Sequence, residues 1–358
     1  MKKALALALS LTMMVSLFAG CGSKDSGSTN ANTNTNTSSG SQQEELPSYS
    51  FQLGFNTVED SVRGEMAHVF ADYVNEASGG RITVEIFPNS SLGSEREAAE
   101  GVQMGSLEMT VVTTDGTLPN WVPETQVLSM PYLFETKEEA YYVLDNFLQD
   151  EFAPLFEEQG IKHLAFCELG FRHFTTNGKE IKSAADLKGQ SIRVQEATIW
   201  FALADALGFI ATPIAFNELY TALQQGTVDG QENPIASIAT SAFGEVQKYM
   251  CMDGHTYGAE SIIMNLDLYN GMTPEQQAWV DEAAAYARDT QRAAVDAVEA
   301  EYLQQIKDGG TIVCEDPDIQ SFKDATADMY KLPEVAELVD PSLTEAVMAK
   351  VAEFNANK

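Results

Sequence analysis

Basic residues are scarce in this chain. Its 358 residues hold 21 lysines and arginines against 53 aspartates and glutamates, a formal charge of −32 at neutral pH. A body charged this way repels nucleic acid and anionic membrane faces, and no basic stripe interrupts it, so no nucleic-acid partner is expected. Histidine is scarcer still. His68, His163, His173 and His255 are scattered without ligand spacing, which argues against a zinc site. There is no G-x-S-x-G elbow and no phosphate-cradling P-loop, and paired carboxylates are inevitable at this acidity and therefore uninformative. No metal, cofactor or catalytic group is expected, and the chain does not read as an enzyme.

Long apolar runs are also missing, apart from the start. Lys2 and Lys3 precede a largely apolar stretch, Ala4 to Ala19, and Phe18, Ala19 and Gly20 lead into Cys21. The stretch is too short for a stable span and a polar segment follows it, so residues 1–20 read as an export signal. It resembles a bacterial lipoprotein signal, with Cys21 as the lipidated mature N-terminus, although phenylalanine stands where such signals usually carry leucine. An ordinary signal peptide cleaved elsewhere is the alternative. Residues 22–48 have no aromatic and only Ala31 and Leu46 as aliphatics, so they build no core and read as a tether of roughly 30 Å average reach. Removing the two signal lysines leaves 19 basic against 53 acidic residues, −34. That far field repels an anionic solute too. Salt screens it over about 10 Å and leaves a close pair largely intact, so any anion site must rely on local arginines.

Strand and helix signals alternate from Tyr49 onward. Tyr49 to Phe55, Arg81 to Phe87 and Leu107 to Val112 alternate as strands, while Asp60 to Ala77 carries Val62, Met66, Phe70 and Val74 at helical spacing and Glu95 to Met104 follows as a helix. The scheme repeats from about Gly170, with strand Ser191 to Gln195, helix Ala197 to Leu207, strand Phe209 to Thr212 and helix Glu218 to Gln225. This layout predicts an α/β fold of two lobes, each a mixed, mostly parallel sheet flanked by helices. Strands near His163 to Glu168 and Tyr257 to Asn265 read as crossings between lobes, and two crossings make a hinge. Lobe I is expected to hold 49–169 and 259–290, lobe II 170–258 and 291–358. Thr273 to Lys307 is the longest helical signal, opened by a Thr273 cap, Pro274 and Gln276 and stopped by Gly309 and Gly310. Asn56 and Thr113 fall just past strand ends, where ligands of such sheets gather. Outside Cys21, the expected lipid site, three cysteines remain, Cys167, Cys251 and Cys314, and an odd number cannot all pair internally. Buried free thiols are expected, because a bridge at the crossings would restrict the hinge; a Cys167–Cys251 bridge is the alternative.

The densest signal runs from Gly170 to Pro234, where Arg172 and Arg193 stand 21 positions apart among short apolar runs. In Ile192, Arg193, Val194 the arginine points away from the face of its aliphatic neighbours. A guanidinium cannot shed its charge and needs an anion, either an internal carboxylate or an external one. Asn233, before Pro234 and the apolar Ile235, Ala236 and Ile238, reads on residue type as a helix N-cap. The phrase TPIAFNELYTALQQGTVDGQENP, with ADLKGQSIRV and GFRHFTTN upstream, resembles the substrate-binding proteins of tripartite ATP-independent periplasmic (TRAP) transporters, over about Phe51 to Gly309.

The resemblance implies a periplasmic-binding-protein-like fold of the class II type, with one long helix spanning both lobes beneath a cleft. It implies that Arg193 makes a paired contact to a ligand carboxylate, that Arg172 is a second arginine in the cleft and that the Asn233 amide holds the same carboxylate. Phe216 would wall the ligand, with a core aromatic as the alternative, and Asn56 and Thr113 would contact the rest of the solute. His255 would line the cleft or be a buried, satisfied histidine. The expected function is an extracytoplasmic receptor, lipid-anchored through Cys21 and monomeric, that closes on a small organic acid and delivers it to small and large membrane subunits. A dicarboxylate, a sugar acid such as a uronate, and a keto acid all fit, with Asn56 and Thr113 favouring a hydroxylated one. The alternatives are a receptor of the same build serving a sensor kinase or an ATP-driven importer, and a surface enzyme acting on acidic sugars.

Overall fold

The computed structural model describes residues 46–358; the expected signal, Cys21 and most of the tether lie outside the described residues. Among the described residues, ten strands form in chain order: β1 (Tyr49–Gly54), β2 (Ile82–Phe87), β3 (Met109–Thr113), β4 (Ile161–Thr176), β5 (Ser191–Val194), β6 (Ile210–Pro213), β7 (Gly230–Pro234), β8 (Tyr249–Cys251), β9 (Tyr257–Asn265) and β10 (Ile312–Cys314). They lie in the order β2-β1-β3-β9-β4-β7-β5-β6, with β8 on β4 and β10 on β8. β1 pairs in parallel with β2 and β3, as β5 does with β6 and β7. The joints between these two groups are antiparallel, β9 against β3 and β4, then β4 against β7 and β8.

β4 therefore belongs to both halves. Ile161 to Phe171 pair with β9, and Arg172 to Thr176 pair with β7. Its ladder to β9 shifts register between His163 and Ala165 and again between Glu168 and Gly170, irregularities that bend a strand at a crossing. The two crossings expected from the sequence are these strands, β4 and β9.

The long helix Pro274–Asp308 starts at Thr273, whose hydroxyl accepts from the Gln276 amide while the Gln276 side chain returns to Thr273. At roughly 50 Å it packs on helix Val62–Ala77 in one half and on helix Ile235–Thr240 in the other. Polar side chains fasten its middle to the crossing. Gln291 exchanges hydrogen bonds with the backbone of Glu168, at 2.6 and 2.9 Å, and Arg292 donates to the Phe166 carbonyl and, through two nitrogens, to Asp145. One core cluster fills the β1–β3 half and another lies beneath helices Phe216–Gln224 and Ile235–Thr240. A third, larger cluster gathers residues 98–166 with 174–209 and the C-terminal helices. Helix Pro341–Ala356 packs on Lys137–Val143, and helix Pro333–Leu338 packs on Ile199–Leu207, so the C-terminal segment touches both halves. Among the described residues, no helix is long and apolar enough to cross a membrane.

The β4–β7 contact leaves no room for a side chain at Gly230, where a Cβ would stand 2.1 Å from the Thr175 carbonyl oxygen. Gly230→Ala is expected to destabilise by about 1–3 kcal/mol. A parental midpoint in urea unfolding would show that β7 is not held this closely.

Candidate functional site

The strand ends of the two halves face one another across a cavity of about 30 Å³. One wall includes Asn56 just past β1, Arg63, Ser94 and Glu95 at a helix start, Thr113 at the end of β3, and Thr117; the other includes Arg193, Gln195, Glu196, Ala215, Phe216, Asn233 and Ser237. By the measure of roughly 10–15 Å³ per water, the space holds a water or two. Four of the expected side chains beyond Arg193 line it: Asn56, Thr113, Phe216 and Asn233. Arg172 does not. Phe216 opens helix Phe216–Gln224 and meets Phe243 edge-on at 5.7 Å, so one face packs on the core while the residue still lines the cavity. A larger and more open hollow of about 660 Å³ lies near Phe134, Phe171, His173 and Leu303. It has no arginine, and its Lys137 and Lys323 pair with acidic neighbours.

The two arginines have opposite fates because β7 lies between β4 and β5. Glu232 on β7 reaches Arg172 on β4, and the pair is fully buried. Arg172 donates through Nε and Nη2 to the carboxylate, and Nη2 also donates to the Glu232 carbonyl at 2.7 Å and to Asn233 Oδ1 at 3.1 Å. Its Nη1 has no hydrogen-bond partner among the described residues. Arg193, 3% exposed, donates from Nε to the Ile214 carbonyl at 2.8 Å, and its Nη1 has no partner. No carboxylate among the described residues forms an ion pair with it. Burial pulls its pKa down to about 10 against the attraction of Glu232, which leaves it charged at neutral pH. An internal carboxylate thus meets Arg172, whereas Arg193 faces the cavity unmet.

Asn233 is not a helix cap. It is a strand residue opposite His173, and Pro234 takes the cap position with no side-chain hydrogen bond. Pairing with β4 overrides the local signal. Its Oδ1 accepts from Arg172 and its Nδ2 donates to Gln231, which fixes the amide at the cavity wall.

The opposite wall turns on Glu95, a residue the sequence reading passed over. Oε1 accepts from Asn56 Nδ2 at 2.8 Å and Arg63 Nη1 at 3.2 Å; Oε2 accepts from the hydroxyls of Thr113 and Thr117, each at 2.8 Å. Arg63 also donates to Asn56 and Glu260. Arg63 had a legible signal, since it lies three and seven positions before Met66 and Phe70 on the buried stripe of its helix. Glu95 had none, because the residues that meet at it come from three separate stretches.

Behind Glu232 the network continues away from the cavity. His255 is fully buried and does not line the cleft; its Nδ1 lies 2.8 Å from Asp253 and its Nε2 3.5 Å from Glu232, with Phe174 stacked on the ring. Burial opposes the charged imidazole, but Asp253 and Glu232 outweigh it and raise its pKa to about 9. Burial alone would raise Glu232, yet Arg172 and His255 hold it below the usual carboxylate value. Asp115, also near Arg172, is pushed up to about 6 by burial. Among the described residues, no group of three acidic, histidine or cysteine side chains is placed to hold a metal.

The family model for bacterial extracellular solute-binding proteins of family 7, DctP, matches residues 53–336. A solute-binding protein of Verminephrobacter eiseniae is 38% identical over 279 residues, 78% of this chain and 83% of its own length. A TRAP periplasmic solute-binding protein of Polaromonas sp. JS666, bound to D-erythronate, is similar with a TM-score of 0.81 at 35% identity, over 84% of this chain and 98% of that one. The sugar acid binding protein of Advenella mimigardefordensis in complex with galactonate gives 0.82 at 26% identity, over 86% and 99%.

The imidazole pair of carboxylates sets a pH dependence with a definite sign. A histidine raised from about 6.5 stabilises fully below that value and loses its contribution as pH climbs through the folded value. The melting temperature is therefore expected to fall between pH 6.5 and about 9. His163 and His173, pulled down by burial to about 3 and about 4, act on the other limb and cost stability as pH drops below about 6.5. In His255→Gln the alkaline decline should flatten; the same slope in parent and variant would remove His255 from the network.

Proposed function

The chain belongs to the bacterial extracellular solute-binding proteins of family 7, the receptors of TRAP transporters, and from that membership we propose that it captures a hydroxylated organic acid in this cavity and delivers it to the membrane subunits. One observation carries the reading: Arg193 is buried, charged and without a carboxylate partner at the cavity wall. A solute carboxylate supplies the missing anion, with Asn233 as the amide beside it. Arg172, already met by Glu232, acts from behind by holding the Asn233 amide rather than by touching the solute. Phe216 closes the side of the site, and Asn56 and Thr113, gathered on Glu95, meet the solute's hydroxyls. The orientation follows from one charge. Arg63 offsets Glu95 and Glu260 on one side and Glu196 stands near Arg193 on the other, so the unpaired guanidinium, not the net charge of a wall, orients the solute.

A cavity of about 30 Å³ cannot admit a four-carbon or larger acid, so the halves must part along β4 and β9 to load it. The lobes divide where β4 changes partner, between Phe171 and Arg172. Two relatives of this build carry D-erythronate and galactonate, both hydroxylated monocarboxylates, which favours that class over a plain dicarboxylate. The receptor works as a monomer on the outer face of the cell membrane, held by a lipid on Cys21, with residues 22–48 as its tether.

A thermal-shift panel of aldonates, uronates, C4-dicarboxylates, keto acids and neutral sugars tests the reading, since a solute that binds only the folded state raises its melting temperature. Stabilisation by hydroxylated acids is expected, and an equal response to neutral sugars would overturn the carboxylate assignment. Arg193→Ala should weaken the acid at least about 30-fold. The solute-free variant should melt no lower than the parent, because the substitution removes a buried charge with no partner. A large drop in solute-free stability would make Arg193 structural instead.

A further inference from the structure

We propose that Cys251 and Cys314 are a disulfide site that clasps the end of the long helix to the sheet of the second half. Both are free thiols in the structure, but they are register partners on adjacent strands: Ile312 opposes Tyr249, Val313 opposes Met250 and Cys314 opposes Cys251. Neighbouring strands lie about 4.8 Å apart, within the roughly 4.4–6.8 Å that a disulfide spans between Cα atoms. Register partners of a parallel ladder also direct their side chains to the same face. The third thiol is out of reach. Cys251 opposes Phe174 on β4, seven residues from Cys167, which is roughly 23 Å along the strand. A Cys167–Cys251 bridge is therefore excluded.

The two sulfurs differ in access, which sets the order of events. Cys314 is partly exposed on β10, a three-residue strand whose ladder is to β8, while Cys251 is buried in the core. Burial, with Asp253 and Cys314 nearby, pushes the Cys251 thiol up, so it is the poorer first nucleophile. The Cys314 thiolate attacks a small disulfide RSSR, forming Cys314–S–S–R and releasing RS⁻. Cys251 then gives up its proton and attacks the Cys314 sulfur, the mixed bond breaks, and a second RS⁻ leaves. In sum, two protein thiols are oxidised to one disulfide and one RSSR is reduced to two RSH. An extracytoplasmic location is where such a bond persists.

The position also decides what the bond does. Residues 251–314 include β9 and the whole of the long helix, so closure constrains a long stretch of the unfolded chain. In the folded state both strands stand on the same side of the crossing, because β8 pairs with the Phe174–Thr176 end of β4 and β10 pairs with β8. The bond does not bridge the two halves, so it stabilises the fold without holding the cleft open or shut.

The test treats the full chain with glutathione disulfide, blocks remaining thiols in denaturant and maps the peptides by mass. A single cross-link between the Cys251 and Cys314 peptides is expected, with Cys167 blocked only after unfolding. The melting temperature should rise by roughly 3–6 °C on oxidation and return on reduction. Cys314→Ser should abolish the rise while leaving the reduced melting temperature within about 1 °C, since that residue is partly exposed. Blocked thiols at all of Cys167, Cys251 and Cys314 after oxidation, glutathione retained on Cys314 as the end product, or a cross-link to Cys167 would each overturn the proposal. A thermal shift by any solute that is lost only in the oxidised form would refute its placement within one half.

Discussion

A guanidinium taken out of water keeps its charge, and its desolvation is offset only where an anion or several hydrogen-bond acceptors stand beside it. Two such groups lie near each other here, Arg172 on β4 and Arg193 on β5, separated by β7 and sharing the field of one carboxylate, Glu232. Glu232 closes on Arg172 through both its oxygens and its own backbone carbonyl. Arg193 receives the Ile214 carbonyl and little else. The imbalance is local and costly, and it sits at the joint between the halves. A structure otherwise rich in acidic side chains leaves unmet the cation that an acidic solute would satisfy.

The rest of the second half keeps that cation in place. Glu232 is drawn toward Arg172 and away from Arg193, with the His255 ring 3.5 Å behind it and Asp253 2.8 Å from that ring in turn. Asn233 is tied to Arg172 on one side and Gln231 on the other, so its amide stays at the cavity wall. These contacts form one chain of alternating charge from the cleft toward the rear of the molecule. The proposed rotation between the halves would leave it intact, since its members belong to β7, the end of β4 and the segment after β8. The proposed motion would fall on β4 and β9 instead, where register shifts bend the ladder and where Gln291 and Arg292 donate to backbone carbonyls.

Local signals in the sequence were legible wherever local chemistry decides the outcome. The Thr273–Gln276 box, the strand Tyr257–Asn265 and the alternation around Arg193 could all be read along the chain, and the fold places them accordingly. Asn233 shows the limit. An asparagine before proline and an apolar run reads as a cap, and only the antiparallel partner His173, far upstream, makes it a strand residue. The fate of the two arginines was open for the same reason, because alternation tells which way a side chain points and says nothing of which carboxylate waits there. Glu95 was legible only as the start of a helix, and its partners come from Asn56, Arg63, Thr113 and Thr117. The neighbouring thiols of Cys251 and Cys314 depend on a ladder between strands separated by the long helix.

The two walls of the cleft also contribute differently to closure. On the Glu95 wall, the carboxylate and its four donor residues satisfy one another, so this surface is already in its low-energy arrangement. A solute hydroxyl that joins it exchanges one set of hydrogen bonds for another, and such exchanges are worth only about 0.5–1.5 kcal/mol each. On the Arg193 wall nothing is exchanged, because the group has no anion to give up. A ligand shifts a conformational equilibrium only by its differential affinity for the two states. On the proposed reading, the carboxylate drives closure, and the hydroxyl wall selects among acids by whether their hydroxyls fit the pattern Glu95 has already set.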